Sequence, residues 1–293
     1  QAKHSMLRSG RDDGKVADKG PRLDAGEEVE AADWFDQSKQ PVVISAEDGI
    51  QLHGWLFDPD CAGAKLHLYA ICCHGYSGQP QDMAKYAHRF ARLGFTVLVP
   101  ALRGHGLSEG RYAGMGWLDR RDLMRWISLI IGSDADARIL LQGKSMGAAA
   151  VMMTVGEPDL PRNVVAAVED CGYASVVQQF IDCARSMFHL PKFLAKPIVT
   201  TMGAIAQRRA GYGFQEASCV EQLKHATIPM LFIHGGADDF VPSRALDENF
   251  DACASIDRQK LLIPSAGHSM SASTAPVVYW KTVTNFVTRV FGL

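Results

Sequence analysis

LLQGKSMGAAA, residues 140–150, is the stretch that decides the fold. The apolar residues 137–141 predict a buried strand and residues 148–154 predict a helix, with Gly-x-Ser-x-Gly between them. A strand that passes into a helix within about two residues holds the apical serine, here Ser145, in a strained backbone with its hydroxyl exposed. A chain with 27 glycines can contain this pattern by chance. The flanking strand and helix favour a nucleophile elbow instead.

Length, composition and charge set broad limits on the rest of the chain. Its 293 residues, 47% hydrophobic and 21% charged, suit a globular protein with a sizeable core. The net charge of −2 and the absence of a Lys/Arg run argue against a nucleic-acid partner. No apolar run reaches the roughly 18 residues that a membrane-spanning helix needs, so no membrane span is predicted.

Seven cysteines occur without any Cys-x-x-Cys spacing, which argues against a metal site of the zinc type and against a disulfide scaffold. This cysteine usage favours a reducing, cytoplasmic compartment. The sequence starts with Gln1 rather than Met, and a missing N-terminal signal or anchor would instead place the protein outside the cytoplasm. These patterns leave the oligomeric state unknown.

The chain divides into two parts by composition. Residues 1–40 are polar and of mixed charge, with Trp34 and Phe35 as the apolar anchors, and predict a loosely held extension. Residues 41–293 begin with two alternating strands around Asp48-Gly49, an antiparallel hairpin, and continue with apolar strands separated by helices. This alternation predicts an α/β domain with a mostly parallel sheet covered by helices on both faces. It lapses at about 171–227, where amphipathic segments predict a helical cap insertion.

A serine nucleophile needs a base, and the position of each histidine relative to the strands separates the candidates. Chemistry in an open α/β sheet gathers at the carboxyl ends of the strands. His268 follows the predicted strand that ends at Ile263 and fits this requirement best. His74 and His234 also follow strands, but each precedes a glycine within a turn, where a role in the loop framework is expected.

The acid that orients the base has three candidates. Asp238 follows a strand and lies between Ser145 and His268 in the chain, which matches the Ser, Asp, His order of this type of elbow. Asp239 is its immediate neighbour and could instead be a helix-capping or surface residue. Asp170 also ends a predicted strand and stays an alternative. Asp238 is therefore the favoured acid.

An acyl-transfer intermediate needs two hydrogen-bond donors for its oxyanion. In this type of elbow, one is the amide of the residue after the nucleophile and the other comes from the loop after an earlier strand. These rules predict the amides of Met146 and of Tyr76, the latter in the loop His74-Gly75-Tyr76-Ser77-Gly78. The alternative for that loop is a plain glycine-containing turn.

Taken together, these motifs resemble the α/β-hydrolase superfamily over residues 41–291. The set, in chain order, is HGYSG at 74–78, RGHGLSEG at 103–110, GKSMG at 143–147, HGGADDFVP at 234–242 and AGH at 266–268. The chain looks closest to bacterial single-domain hydrolases grouped with serine aminopeptidase-like and cinnamoyl or feruloyl esterase-like proteins, and residues 114–120 are similar to a stretch found there. The resemblance implies an eight-stranded, mostly parallel sheet, no cofactor, and hydrolysis of an ester or related acyl bond.

The resulting functional hypothesis is a serine hydrolase that cleaves carboxylic esters of small molecules through a Ser145, His268, Asp238 triad and an acyl-enzyme. A peptidase, aminopeptidase or acyltransferase with the same triad is the alternative enzyme, and a catalytically silent small-molecule binder is the alternative of another class. The apolar side chains of the cap suggest an acyl or aromatic pocket beneath Met187, Phe188 and Phe193, although packing of the cap on the core would explain them equally well.

Overall fold

The structure, a computed structural model, describes residues 20–63 and 65–293 and contains one eight-stranded sheet in the order β1-β2-β4-β3-β5-β6-β7-β8. Strands β3 to β8 pair in parallel, whereas β2 is antiparallel to both β1 and β4. The mostly parallel sheet predicted from the sequence is confirmed. The strands are β1 Gln40–Ser45, β2 Gln51–Phe57, β3 Leu68–Cys73, β4 Thr96–Pro100, β5 Arg138–Lys144, β6 Val164–Asp170, β7 Met230–Gly235 and β8 Arg258–Ile263.

Helices cover both faces of this sheet. They are α1 Ala25–Ser38, α2 Ala84–Arg92, α3 Trp117–Ser133, α4 Met146–Val155, α5 Val176–Phe188, α6 Lys192–Ala210, α7 Cys219–Leu223, α8 Arg244–Ala252, α9 Ser271–Thr274 and α10 Pro276–Phe291, with a short 3₁₀ turn at Pro80–Met83. Side chains of α1, α2 and α10 form one apolar layer, and those of α3, α4, α7 and α8 form the other. No helix within the described ranges is long and apolar enough to cross a membrane.

The central strand β5 shows why the sheet is buried on both sides. Ile139 and Leu141 pack into the layer of α3 and α4, while Leu140 between them packs into the layer of α1, α2 and α10. Successive side chains of a strand point to opposite faces, so a strand that is apolar at every position needs cover on both faces. This burial holds β5 rigid up to the point where Ser145 begins the next helix.

The hairpin of β1 and β2 turns at Asp48-Gly49 as predicted. Val42 pairs with Gly54 in an antiparallel register, and the Ala46 amide donates to the Ile50 carbonyl at 2.9 Å. Gly49 has φ +85°, a conformation that residues with a side chain seldom adopt. The hairpin extends the sheet at its β4 edge and lies away from the elbow.

The prediction of a loosely held extension is wrong for residues 25–38, which form α1. Phe35 is fully buried, and its ring lies 4.6 Å from that of Phe57. Acidic side chains of α1 pair with Arg89 and Arg92 of α2. A helix held by residues outside its own segment, such as Phe57 and Arg89, gives only a weak local signal, which is why its polar composition suggested an extension. The first 19 residues of that extension lie outside the described part of the chain.

Candidate active site

The elbow has the geometry that its sequence predicts. Ser145 stands between the last residue of β5 and the first of α4 with φ 56° and ψ −118°, a strained backbone for a residue with a side chain. A methyl group on Gly147 would lie 2.2 Å from the Cys73 carbonyl oxygen, and one on Gly143 would lie 2.3 Å from the Gly147 carbonyl oxygen. Only glycine fits at these two positions, because the backbones of β3, β5 and α4 meet there.

Three side chains far apart in the chain form a continuous hydrogen-bonded series. Ser145 Oγ lies 2.8 Å from His268 Nε2, and His268 Nδ1 lies 2.7 Å from Asp238 Oδ2. Because a carboxylate accepts hydrogen bonds, Nδ1–H donates to Asp238, which leaves the lone pair of Nε2 to accept from the serine hydroxyl. The Phe240 ring packs on the imidazole with 5.0 Å between ring centres. The loop after β7 thus supplies both the acid and a wall for the histidine.

Asp238 is held as a carboxylate by its surroundings. Its Oδ1 accepts from the amides of Phe240 at 2.9 Å and Val241 at 2.8 Å. Burial raises the pKa of this carboxyl, but its hydrogen bonds with His234 and His268 outweigh burial and lower the pKa to about 2. At neutral pH a fixed negative charge therefore faces His268 Nδ1.

The other two candidate acids are placed differently. Asp170 accepts a hydrogen bond from the Tyr279 hydroxyl at 3.0 Å, and burial raises the pKa of its carboxyl. Its backbone carbonyl accepts from the Ser145 amide at 2.8 Å, which helps to hold the elbow. Asp239 has an exposed side chain next to Asp238. The carboxylate that hydrogen-bonds the imidazole of His268 is that of Asp238.

His74 and His234 lie in the loop framework, as their glycine neighbours predict. His74 Nδ1–H donates to the Gly75 carbonyl at 2.8 Å, and Nε2 accepts from the Leu102 amide at 3.1 Å. Burial lowers the pKa of His74 to about 4, so the ring is neutral and joins two loops. His234 Nε2 lies 3.0 Å from the Val241 carbonyl oxygen. Burial lowers the pKa of His234, but its hydrogen bond with the Asp238 carboxylate contributes most to outweighing burial, and the net shift is upward.

The two amides predicted for the oxyanion lie beside Ser145 and are unused. A methyl group on Gly75 would lie 3.2 Å from Ser145 Cβ, so the loop after β3 passes directly over the serine. In the described chain, the amides of Tyr76 and Met146 donate to no protein group. His105 fixes this loop, because the Ser77 amide donates to His105 Nε2 at 3.2 Å. Both amides are thus free to donate to an atom bound at Ser145.

A cavity of about 460 Å³ opens onto Ser145. Its wall is predominantly apolar and comes from the loop after α6, from α5 and α6, and from the loops after β3, β4 and β7. Large side chains that line it include Tyr112, Phe180, Ile205, Tyr212, Phe214 and Phe240. Among its described lining residues, Arg209 carries the one charged side chain.

The pocket predicted at Met187, Phe188 and Phe193 is wrong in its residues. All three side chains are exposed and none lines the cavity next to Ser145. Other residues of the two helices, Phe180 and Ile205 among them, face the serine instead. The amphipathic pattern shows that α5 and α6 carry apolar residues, but the orientation of two helices over a site is set by tertiary packing. Phe240 was also missed, although it stands two positions after Asp238 in the HGGADDFVP motif.

A buried carboxyl behind the site has no counterpart in the sequence analysis. Glu169 near the end of β6 accepts from the Gly172 amide at 3.0 Å, while its second oxygen has no partner among the described residues. Burial raises the pKa of Glu169 to about 8. The group is therefore largely protonated and uncharged at neutral pH.

One set of side chains around the site has donor atoms close enough together for a metal ion. The donor atoms of Cys171, Asp238 and His268 lie within 4.8 Å of one another. Burial raises the pKa of the Cys171 thiol well above its usual value, and a metal ligand would have to be the thiolate. The hydrogen bond between Asp238 and His268 already uses the other two donors. This donor chemistry fits a triad with a neighbouring thiol better than a metal site.

Comparison with known proteins identifies the fold. The family model described as Hydrolase_4, serine aminopeptidase S33, matches residues 66–208. An esterase of Pyrococcus furiosus, Pf2001, superimposes with a TM-score of 0.68 at 20% identity, covering 86% of this chain and 92% of the esterase. The chain has the α/β-hydrolase fold. An acylaminoacyl peptidase of Pyrococcus horikoshii has the same fold over 86% of this chain and 42% of the peptidase, with a TM-score of 0.61 at 15% identity.

Relatives in sequence span most of this chain. YqkD of Bacillus subtilis, an uncharacterized protein, is 26% identical over 255 residues, which are 86% of this chain and 81% of YqkD. The uncharacterized protein Rv2307c of Mycobacterium tuberculosis is 29% identical over 231 residues, 78% of this chain and 72% of its own length. The family match and the structures support a serine hydrolase, and they include both esterases and peptidases.

Proposed function

We propose that this α/β hydrolase is a serine esterase whose nucleophile is Ser145, whose general base is His268 and whose orienting acid is Asp238. The observation that carries the proposal is the hydrogen-bonded series of these three side chains at the mouth of an apolar cavity. A serine at an elbow, an imidazole at 2.8 Å from its hydroxyl and a buried carboxylate behind the imidazole are the parts that acyl transfer requires.

In the proposed reaction, Ser145 Oγ attacks the ester carbonyl carbon while its proton passes to His268 Nε2. Asp238 stabilises the imidazolium that forms, because its carboxylate accepts from Nδ1–H. The amides of Tyr76 and Met146 donate to the oxyanion of the tetrahedral intermediate. His268 then protonates the departing alkoxide, which leaves an acyl group on Ser145. Water, activated by the same imidazole, releases the acid and restores the serine.

The cavity favours an ester over a peptide with a free N-terminus. An aminopeptidase must bind the ammonium group of its substrate, for which proteins use carboxylates or other oxygen acceptors. The described residues that line the cavity include no Asp or Glu, and most of them are apolar or aromatic. A neutral acyl or aromatic ester would enter such a wall without leaving a buried charge unpaired.

Active-site labelling tests this proposal directly. We expect a fluorophosphonate to label the protein and Ser145→Ala to remove both the label and the hydrolysis of p-nitrophenyl butyrate, by about 10⁴-fold or more in kcat. Ser186→Ala, which changes an exposed serine of α5, is the matched control and should keep both. Full labelling of Ser145→Ala would refute the assignment of the nucleophile.

The same assay separates the alternative functions. Aminoacyl p-nitroanilides offered beside the esters report peptidase activity, and faster turnover of the anilides would replace the esterase proposal with a peptidase. If the folded protein gives neither a burst of product nor turnover with an activated ester, the result would support the catalytically silent binder.

A further inference from the structure

Large apolar side chains lie exposed at the turn between α5 and α6. Phe188 is 70% exposed and Phe193 is 74% exposed, and Met187 and Leu194 beside them are also exposed. Four such residues within eight positions form a contiguous apolar tip, which we call the hairpin tip (residues 187–194). Contiguous exposed apolar surface is uncommon on a protein in water and marks an interaction site.

The apolar surface continues from the tip toward the cavity. Leu194, Ile198, Met202 and Ile205 recur at intervals of four, four and three residues along α6, so they share one side of the helix. All four are exposed large apolar residues. Met202 and Ile205 also line the cavity that opens onto Ser145. The same stripe therefore joins the hairpin tip to the cavity mouth.

Beyond Asp182 of α5, which pairs with Arg244 of α8, the charged residues of the hairpin are all basic. From position 183 through 215 the sequence contains five basic residues and no Asp or Glu, whereas the whole chain has net charge −2. The basic residues are Arg185, Lys192, Lys196, Arg208 and Arg209, and all five side chains are exposed. Lysine and arginine can lay their methylene groups along apolar surface while their charged ends reach anionic groups nearby.

We propose that the α5–α6 hairpin docks on an anionic lipid surface, with the hairpin tip among the acyl chains and the basic residues at the head groups. Exposed aromatic and aliphatic residues together with Lys and Arg are the two signals that bind a protein segment at a lipid interface. Docking in this way would place the cavity mouth next to the lipid, because the stripe of α6 joins the two. A second copy of this chain is a less suitable partner for the hairpin tip, since two hairpins of the same charge repel each other.

Vesicle flotation tests the proposal independently of the proposed esterase activity. The full chain carrying Ser145→Ala is used so that no lipid is consumed, with vesicles of pure phosphatidylcholine or with one third phosphatidylglycerol. We expect binding to the anionic vesicles to be stronger by about tenfold or more and to weaken in high salt. Equal binding to both vesicles, or binding to neither, would overturn the proposal.

Paired substitutions locate the surface. Phe188→Ser with Phe193→Ser, and separately Lys192→Glu with Lys196→Glu, should each reduce binding to the anionic vesicles by about tenfold or more. Ile256→Ser with Val277→Ser removes exposed apolar residues elsewhere and should leave binding unchanged. Thermal unfolding of each variant shows that the fold is retained.

Three results would refute the hairpin as the lipid surface. One is undiminished flotation of both hairpin variants, and another is an equal loss in the control. The third is light scattering that shows a dimer of the parent chain which either hairpin variant abolishes, because the tip would then be a contact between two copies. A failure of ester turnover in the wild-type chain would concern only the proposed function, since flotation is measured without it.

Discussion

The loops after β3, β5 and β7 and the α5–α6 hairpin form two sides of one cavity, yet they are built in opposite ways. In the loops, Ser145 and Asp238 are buried, and glycines that tolerate no methyl group bring the backbones together. On the hairpin, large apolar residues such as Phe188 and Phe193 are exposed and basic residues face solvent. The loops hold chemical groups in one geometry, whereas the hairpin offers surface to something outside the chain.

This difference predicts how strongly substitutions in each region should act. The proposed chemistry depends on a few hydrogen bonds whose atoms lie within 3 Å of each other, so any change there should be severe. The hairpin contributes area and charge, which many residues share, so single changes there should be mild. The four predictions below test this contrast from the largest expected effect to the smallest.

Asp238→Asn should give the largest loss. An amide at this position can present its NH₂ to His268 Nδ1 and stabilise the wrong tautomer, which takes the base away from Ser145. We expect kcat for a short ester to fall by about 10³- to 10⁴-fold, with little change in KM. Asp239→Asn changes the exposed side chain one position further along the chain. Its kcat should stay within about threefold of the wild-type value. Equal effects of the two substitutions would remove Asp238 from its proposed role.

Replacing a glycine by alanine should have opposite effects on stability in the two regions. Gly147→Ala would place Cβ 2.2 Å from the Cys73 carbonyl oxygen, so we expect the free energy of unfolding to fall by about 3 kcal/mol or more. Gly203→Ala in α6 would meet the nearest atom, in Phe214, at 3.5 Å. Because alanine favours a helix over glycine, this control should gain about 0.5–1 kcal/mol. Urea unfolding measures both, and a mild Gly147→Ala would contradict the tight elbow.

Glu169→Gln should change how stability depends on pH. The pKa of Glu169 is raised by burial to about 8 in the folded protein, so the folded state keeps a proton that the unfolded chain releases above about 4.5. The stabilisation that comes from keeping Glu169 protonated is fully present below about pH 4.5 and is lost as the pH rises toward 8. We expect the variant to remove about 2 kcal/mol of the decline in unfolding free energy between pH 5 and pH 7.

The control for this pH effect is Glu221→Gln in α7, an exposed carboxylate that pairs with Lys224. Its curve of stability against pH should follow that of the wild-type protein. Parallel curves for Glu169→Gln and the wild type would show that Glu169 is ionised in the folded state.

The smallest effect is expected where the hairpin meets the cavity. Ala206 of α6 lines the cavity, and Ala206→Phe would fill part of its roughly 460 Å³. We expect kcat/KM for a decanoyl ester to fall by about tenfold while that for an acetyl ester stays within about threefold. Ala204→Phe, on the exposed side of the same helix, should alter neither value. An unchanged kcat/KM for the decanoyl ester in Ala206→Phe would mean that the acyl chain does not use this cavity.

Much of the fold and of the candidate site could be predicted from local patterns. The strand that ends before Ser145, the order of Ser145, Asp238 and His268, and the glycines of the elbow all leave signals within a few residues. The pocket could not be predicted in this way, because Met187, Phe188 and Phe193 have the same apolar character as Phe180 and Ile205. Helix α1 was missed for a related reason, since its ion pairs with α2 join distant parts of the chain.

The sequence by itself determined the alternation of strands and helices, the elbow at Ser145 and the identity of the residues that could act with it, because backbone sterics and strand periodicity are local properties. Only the tertiary structure decided that Asp238 rather than Asp170 meets His268, since Asp170 ends β6, Asp238 closely follows β7, and the two differ in which partner the folded sheet places beside them. It also decided which side of the α5–α6 hairpin faces Ser145 and which faces solvent. That choice depends on how two helices pack over the sheet, and such packing is a property of contacts between distant residues.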